Sequence, residues 1–479
     1  MYSHHNDITS IQSKLRDALK VIKIYEWLLD SYVLDFYVDN HWDKMPKSWI
    51  QTLGHISPEH LTDLLIPPVQ NTECTVWPLS LLALRTLMQR LCIPREPISF
   101  SQRIDAEENQ SDSNNNPKKK FNCLTHPKIG TVLTKKNIKA KKRHEIERMS
   151  QLTVNIAREL NVNYVVDFGS GLGHLARVLA YGHGLRVCCL EKEITLTDQA
   201  NELDNQLTDL ATRFCTDEIT FRRPVHLNIC LNRDTSFKDL VAAIKKSFGI
   251  AVNETFKFGI IGLHPCGDLA SILTNFYLQS SEAKFLNLVG CCYFKIQNLS
   301  NSTNIRNKGY PLSEYLNRHF DPNDYHLSFV AREISCHAIE VYANRLSDKN
   351  YDNLRVHSFR AAIEKIICKY WPEKKRSGLR SIKRLTTFRD YCHQAVSHLD
   401  GIHIPDHDID STDTLANLER WKSVVIFYTL RLVLAPLVES VILYDRLLCL
   451  LEHGCHTKID AIFDPVISAR NHIITAVKS

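Results

Sequence analysis

The sequence predicts an α/β fold built on a doubly wound, mostly parallel sheet, and three observations carry that prediction. The first is Val165-Val166-Asp167-Phe168-Gly169-Ser170-Gly171-Leu172-Gly173-His174, an apolar run that breaks into glycines at alternate positions. Such a pattern reads as a buried strand delivering the chain to a tight turn and a helix start. The second is the short apolar run Leu185–Leu190 ending at Glu191, about twenty residues on, where a doubly wound sheet sets an acid against a ribose diol. The third is the alternation that follows. Apolar segments Val225–Cys230, Phe258–Leu263 and Phe285–Gly290 are separated by helical patterning, notably Ser236–Phe248, as parallel β-α-β units require.

The elements follow in order. Residues 1–100 carry apolar positions at helical spacing, such as Leu15, Leu19, Ile22, Tyr25 and Leu29, and predict an N-terminal helical domain. Residues 101–120 are polar and rich in Asn, Ser and Asp, which predicts a disordered linker. A basic stretch (Lys135, Lys136, Lys139, Lys141, Lys142, Arg143) then opens a helix leading into the first strand. Residues 121–296 form the first part of the sheet domain. Residues 297–415 are helical and loop-like, with a second basic run of Lys374, Lys375, Arg376, Arg380, Lys383 and Arg384. A long helix over 420–453 precedes Gly454, and His456–Phe463 and His472–Val477 read as two last strands. Residues 416–479 are thus expected to close the sheet and 297–415 to be a helical insertion, a separate C-terminal helical domain being the competing arrangement.

Composition bounds the class. The 479 residues are 44% hydrophobic and 23% charged, with a formal net charge of +6, which suits a globular chain with a basic bias. The 15 cysteines are odd in number, unevenly spaced and often placed in apolar runs, and the start carries no secretory pattern. They read as reduced thiols of an intracellular protein, cytoplasmic or nuclear. Val424–Leu451 is long enough to span a membrane, but Arg431, Glu439, Asp445 and Arg446 interrupt it. Charges at mid-span cost about 2.5–3.5 kcal/mol each, so a core helix is expected and no stable membrane insertion.

The glycine spacing discriminates between ligands. Dinucleotide folds want G-x-G-x-x-G, and His174 stands where the third glycine would be. What is present, D-x-G-x-G-x-G, is the form typical of S-adenosylmethionine-dependent methyltransferases. Further motifs lie in order along the chain: Lys141-Lys142-x-His144-Glu145, Gly262-Leu-His-Pro-Cys-Gly-Asp268, Val289-Gly-Cys-Cys-Tyr293, Gly309-Tyr-Pro-Leu-Ser313, Ser335-Cys-His337, Leu434-Ala-Pro-Leu-Val-Glu439, Phe463-Asp-Pro465 and Ser468-x-Arg470-Asn471. With them, residues 121–479 resemble the methyltransferase-like protein 25 family, which includes the ribosomal RNA adenine dimethylase domain-containing proteins. The resemblance implies a class I methyltransferase fold with S-adenosylmethionine as cofactor. Adenine amino-group methyltransferases carry Asn/Asp-Pro-Pro-Tyr/Phe after the fourth strand, and this chain has His264-Pro265-Cys266-Gly267. Adenine chemistry therefore does not carry over.

Candidate site residues follow. Gly169, Ser170, Gly171 and Gly173 would let the cofactor approach the backbone, Asp167 would organise the turn or reach the amino-acid end, and Glu191 would take the two ribose hydroxyls. Lys142, His144 and Glu145 begin the helix that would cover the cofactor, or simply cap and charge-pair it. His264 follows the fourth strand, where it could accept a proton or shape the Pro-Cys-Gly turn. Asp268 is either a catalytic carboxylate or a helix N-cap. Tyr293 would form a pocket wall or stack on a planar substrate. His264, Cys266, Cys291 and Cys292 lack the C-x₂₋₄-C pairs of structural zinc sites, and no metal is expected. The expected activity is methyl transfer to a macromolecule. The basic runs favour RNA, with a polypeptide substrate or a catalytically silent scaffold that binds S-adenosylmethionine as the alternatives. Oligomeric state is not legible.

Overall fold

The computed structural model describes residues 6–66, 76–98, 127–134, 138–214, 222–251, 253–297, 309–349, 351–382 and 387–478. The expected linker 101–120 lies outside the described residues, as do Lys135, Lys136, Lys383 and Arg384 of the basic runs. Two compact units divide the chain. One takes Met1–Arg16, Pro94–His326 and Val441–Ser479, and the other Asp17–Ile93 and Leu327–Ser440.

The first unit is the α/β domain. Its strands are β1 (Tyr164–Phe168), β2 (Arg186–Glu191), β3 (Val225–Asn228), β4 (Phe258–Leu263), β5 (Ala283–Val289), β6 (His456–Ala461) and β7 (His472–Val477). They form one sheet in the order β3-β2-β1-β4-β5-β7-β6. β1 to β5 pair in parallel, and β7 runs antiparallel to both β5 and β6. This is the class I methyltransferase topology that the sequence predicts, closed by two strands that arrive after a helical insertion. The central strands are almost continuously buried because helices cover both faces, as a parallel sheet requires. Val165, Val187, Ile261, Phe285 and Val289 from the strands pack with Ile146, Met149, Leu152 and Ile156 of the Ala140–Glu159 helix. Gly259 in β4 is a packing necessity, since a Cβ there would stand 1.9 Å from the Phe285 ring.

The closing elements fall where the hydrophobic pattern puts them. The helix Trp421–Glu452 ends before Gly454, whose φ of +75° lets the chain turn into β6. This helix is long and apolar enough to cross a membrane by length and composition, but 94% of its most apolar window is buried inside the protein. It is a core helix, and its buried Arg431 and Asp445 have internal hydrogen-bond partners. Asp445, fully buried, accepts from the Leu312 and Ser313 amides at 2.7 and 2.9 Å and from the Ser313 hydroxyl at 2.7 Å.

The second unit is helical in its described residues. Its core gathers Ile363, Ile366 and Ile367 of the Asp352–Tyr370 helix with Tyr391, Cys392 and Ala395 of the Phe388–Val396 helix. The segment 17–93 belongs to this unit together with 327–440, rather than standing alone as an N-terminal domain. Arg431, 3% exposed, donates to the Leu28 and Leu29 carbonyls and so ties the two stretches together.

Candidate functional site

The strand order reverses between β1 and β4, and the C-terminal edge at that switch is where doubly wound sheets bind ligands. β1 brings Asp167 to this edge. The chain then turns through Gly169, Gly171 and Gly173 with φ of +70°, +55° and +70°. An L side chain in that region costs about 1–2 kcal/mol, which is why glycine recurs. The Gly169 amide donates to the Leu190 carbonyl at 2.8 Å, tying the turn to the end of β2. At that end Glu191 Oε2 accepts from the Gly171 amide at 2.9 Å, while Oε1 accepts from the Lys192 and Glu193 amides at 2.9 and 3.1 Å. A carboxylate offers about four acceptor positions, so one remains, on Oε2. That position is where a ribose hydroxyl would be expected to bind. A Cβ on Gly171 would meet nothing within 4 Å, so this peptide faces open space that a ligand can enter.

Behind the turn stands a trio that sequence reasoning missed. Arg177 Nη2 donates to the Leu172 carbonyl at 2.6 Å and its Nε to Asp204 Oδ1, and His226 Nε2 lies 2.7 Å from Asp204 Oδ2. Gly173 has little room beside them, since a Cβ would sit 3.0 Å from the His226 ring. The available signal was an arginine in the otherwise apolar Leu175–Ala180 run.

Two titrations are displaced at this edge. Burial raises the Asp167 carboxyl to about 7, with Lys142 pulling it down and Glu191 pushing it up. Burial lowers His174 to about 4, helped by Lys142 and Arg177, so the ring is neutral at neutral pH.

On the β4 side, His264 has a φ of +71°, a strained backbone for a residue with a Cβ. Its amide donates to the Val289 carbonyl, and its Nε2 lies 3.1 Å from Glu145 Oε2. The other Glu145 oxygen accepts from the Ser468 hydroxyl at 2.6 Å, and Lys141 Nζ is 3.8 Å away. Burial raises the Glu145 carboxyl, but His264, Ser468 and Lys141 more than reverse this, leaving it below its ordinary range. Glu145 therefore holds the His264 imidazole.

Three other expectations are corrected. His144 Nε2 accepts the Asp464 amide at 2.9 Å, so this ring fastens the β6–β7 connection. Asp268 begins the Leu269–Gln279 helix without capping it, because its carboxylate accepts from Arg233 Nη2 at 2.6 Å and the Gln297 amide at 3.0 Å. Tyr293 is 2% exposed, with the Arg446 and Arg470 guanidinium carbons 5.8 and 5.9 Å from its ring centre. Enclosed in this way, the ring cannot stack on a substrate.

Comparison with known proteins finds a family match over the same part of the chain. Residues 141–299 match a methyltransferase domain family. They are a methyltransferase domain. The chain is also distantly similar to the probable methyltransferase-like protein 25 of Mus musculus, 28% identical over 234 residues, and to that of Homo sapiens, 28% identical over 235. These alignments cover 46% of this chain but only 37% and 36% of the relatives, so the chain spans well under half the length of the curated relatives it matches. No solved structure matches it.

The ends of β4 and β5 also bring together Cys266, Cys291 and Cys292, three of the four residues weighed above for zinc. Cys266 Sγ lies 3.1 Å from Cys291 Sγ and 3.5 Å from Cys292 Sγ, and the last two are 3.7 Å apart. Hydrogen bonding from Cys291 is the main reason that the Cys266 thiol falls to about 5, with Cys292 and Lys295 adding to it, while Cys291 is pushed far up.

Proposed function

We propose that this chain transfers methyl groups from S-adenosylmethionine to a macromolecule, RNA before polypeptide. The observation that carries the reading is the Gly171–Glu191 closure: an open glycine peptide hydrogen-bonded to an acid with one acceptor position left, at the switch point of a class I sheet. The residues fit the group. The Gly169–Gly173 backbone would give close approach, the free Glu191 position would take a ribose hydroxyl, and Asp167 would organise the turn or reach the amino-acid end. When bound, S-adenosylmethionine supplies an electrophilic methyl on a sulfonium. His264 is the group that accepts the nucleophile's proton, and Glu145 with Ser468 fixes its ring.

RNA is favoured by the net charge of +6 and by where the first basic run stands. Lys141 and Lys142 open the Ala140–Glu159 helix, within reach of Glu145 and Asp167, so the cations border the site. The second run contributes less than its composition suggests, because Lys375 and Arg376 both pair with Asp35.

The test is incubation with tritiated S-adenosylmethionine and an extract of cells lacking the enzyme. Label released by nuclease supports RNA, and label released by protease moves the substrate to a polypeptide. Absence of label despite calorimetric binding of S-adenosylmethionine would leave a silent scaffold. Gly171→Arg fills the open space beside Glu191 and should abolish both label and binding; retention of either refutes the site.

A further inference from the structure

We propose that Cys266, Cys291 and Cys292 bind one soft, four-coordinate cation, zinc in the first instance, through three thiolates with the fourth position open. The inference stands on the cysteine geometry alone, whether or not the chain transfers methyl groups. For metal–sulfur bonds of about 2.3 Å, a tetrahedral site sets its sulfurs about 3.8 Å apart. The three separations here are 3.1, 3.5 and 3.7 Å. A disulfide needs a separation near 2.05 Å and would employ only two of the three sulfurs.

Adjacent cysteines seldom point at one ion, and the local backbone explains why these do. The Tyr293 amide donates to the Cys291 carbonyl at 2.7 Å, and Cys292 has φ −76° and ψ 74°. That is an inverse γ-turn, which swings both sulfurs to the same side. Cys266 arrives from the neighbouring strand end, since β4 and β5 are paired up to Leu263 and Val289. Gly267 then lets the two turns close on each other, for a Cβ there would stand 2.7 Å from the Lys295 carbonyl oxygen.

Donor chemistry selects the ion. Three sulfurs favour zinc or copper(I) and disfavour magnesium or calcium. Three thiolates around a divalent ion carry a net charge of −1, and Lys295 lies within electrostatic reach to offset it. Cys266 is exposed while Cys291 is only 9% exposed, so solvent reaches the cluster from the Cys266 side. Three protein ligands with a vacant fourth position is the pattern of a site that takes an exogenous ligand rather than a closed structural one.

The full chain, purified reduced and without chelator, should contain about one zinc by elemental analysis. Cobalt(II) added to the metal-free protein should give the thiolate charge-transfer bands of a tetrahedral site. Cys266→Ser should weaken cobalt binding at least about 100-fold, beyond the loss usual for a group that merely orients a ligand. Cys230→Ser, at an exposed cysteine outside the cluster, should leave it unchanged. Cys266 is exposed, so its serine variant is the one to rely on where the triple serine variant does not fold. Folded, reduced protein that binds neither ion overturns the proposal, as does a folded Cys266→Ser variant with an unaltered cobalt spectrum.

Discussion

Asp167 is a carboxyl that burial holds neutral to about pH 7, against about 3.9 in an unfolded chain. Between those values the folded state keeps a proton that the unfolded state has lost, so this group's contribution to stability declines as pH rises from about 4 through about 7 and is level above. Asp167→Asn removes the term. The variant should match the parent near pH 4 and exceed it at pH 8 by an amount on the order of 1–4 kcal/mol, measured by urea unfolding at both pH values. A variant less stable than the parent at pH 8 would mean that the charged carboxylate is welcome in the fold. The same substitution should weaken S-adenosylmethionine binding, which would make Asp167 a residue kept for its ligand at the expense of stability. His264 gives the complementary test on chemistry. His264→Asn should lower kcat by about 10²–10⁴ while leaving calorimetric affinity for S-adenosylmethionine intact; a loss of affinity with kcat unchanged would reassign it to binding.

The glycine turn is an element held from behind. Arg177, Asp204 and His226 are nearly buried, with side-chain exposures of 6%, 0% and 2%, and Arg177 alone reaches the Leu172 carbonyl inside the turn. Removing one partner of a buried ion pair leaves an uncompensated charge, at a cost of about 3–5 kcal/mol. Asp204→Ala should therefore lose stability on that scale in urea unfolding and should also weaken cofactor binding through the loosened turn. Asp204→Asn, which keeps an acceptor for Arg177, should recover part of the binding. If Asp204→Ala binds S-adenosylmethionine like the parent, the trio is structural ballast and does not shape the turn. The contrast with what was legible is instructive. β1, its glycines and Glu191 could be read because they lie within one β-α-β unit, where local pattern and topology specify each other. The trio could not, because Asp204 meets Arg177 and His226 across 27 and 22 residues of sequence, on partners that no local periodicity marks. Glu145 shows the same limit more sharply: it begins a basic helix and looks like a cofactor contact, yet its partners His264 and Ser468 lie 119 and 323 residues away.

For the whole molecule, the question is how a sheet stays one structure when its last two strands come from the far side of an insertion between Val289 and His456. The strands themselves were readable, because HTKIDAIF and HIITAV follow a glycine-terminated helix and carry β-branched residues. What was not readable is the fastening. The insertion's described residues resume at 309, and at Leu312 and Ser313 both backbone amides and the Ser313 hydroxyl converge on Asp445, within the closing helix. About two turns of helix further on, Glu452 accepts the Glu314 and Tyr315 amides at 2.7 and 2.9 Å. The helix that delivers β6 thereby grips the same stretch of chain that leaves β5. From sequence, Asp445 and Glu452 are only charges interrupting an apolar helix, and their value lies in donors more than 130 positions away. Asp445→Ala strips the acceptor from two buried amides, each worth about 1–3 kcal/mol when left unsatisfied. We expect a loss of about 2–6 kcal/mol in urea unfolding and faster hydrogen exchange in β6 and β7 than in β1 and β4. Asp445→Asn retains one acceptor oxygen and should lose less. An unchanged urea midpoint for Asp445→Ala would mean that β7's pairing with β5 suffices to close the sheet and that the grip on Leu312 and Ser313 contributes nothing.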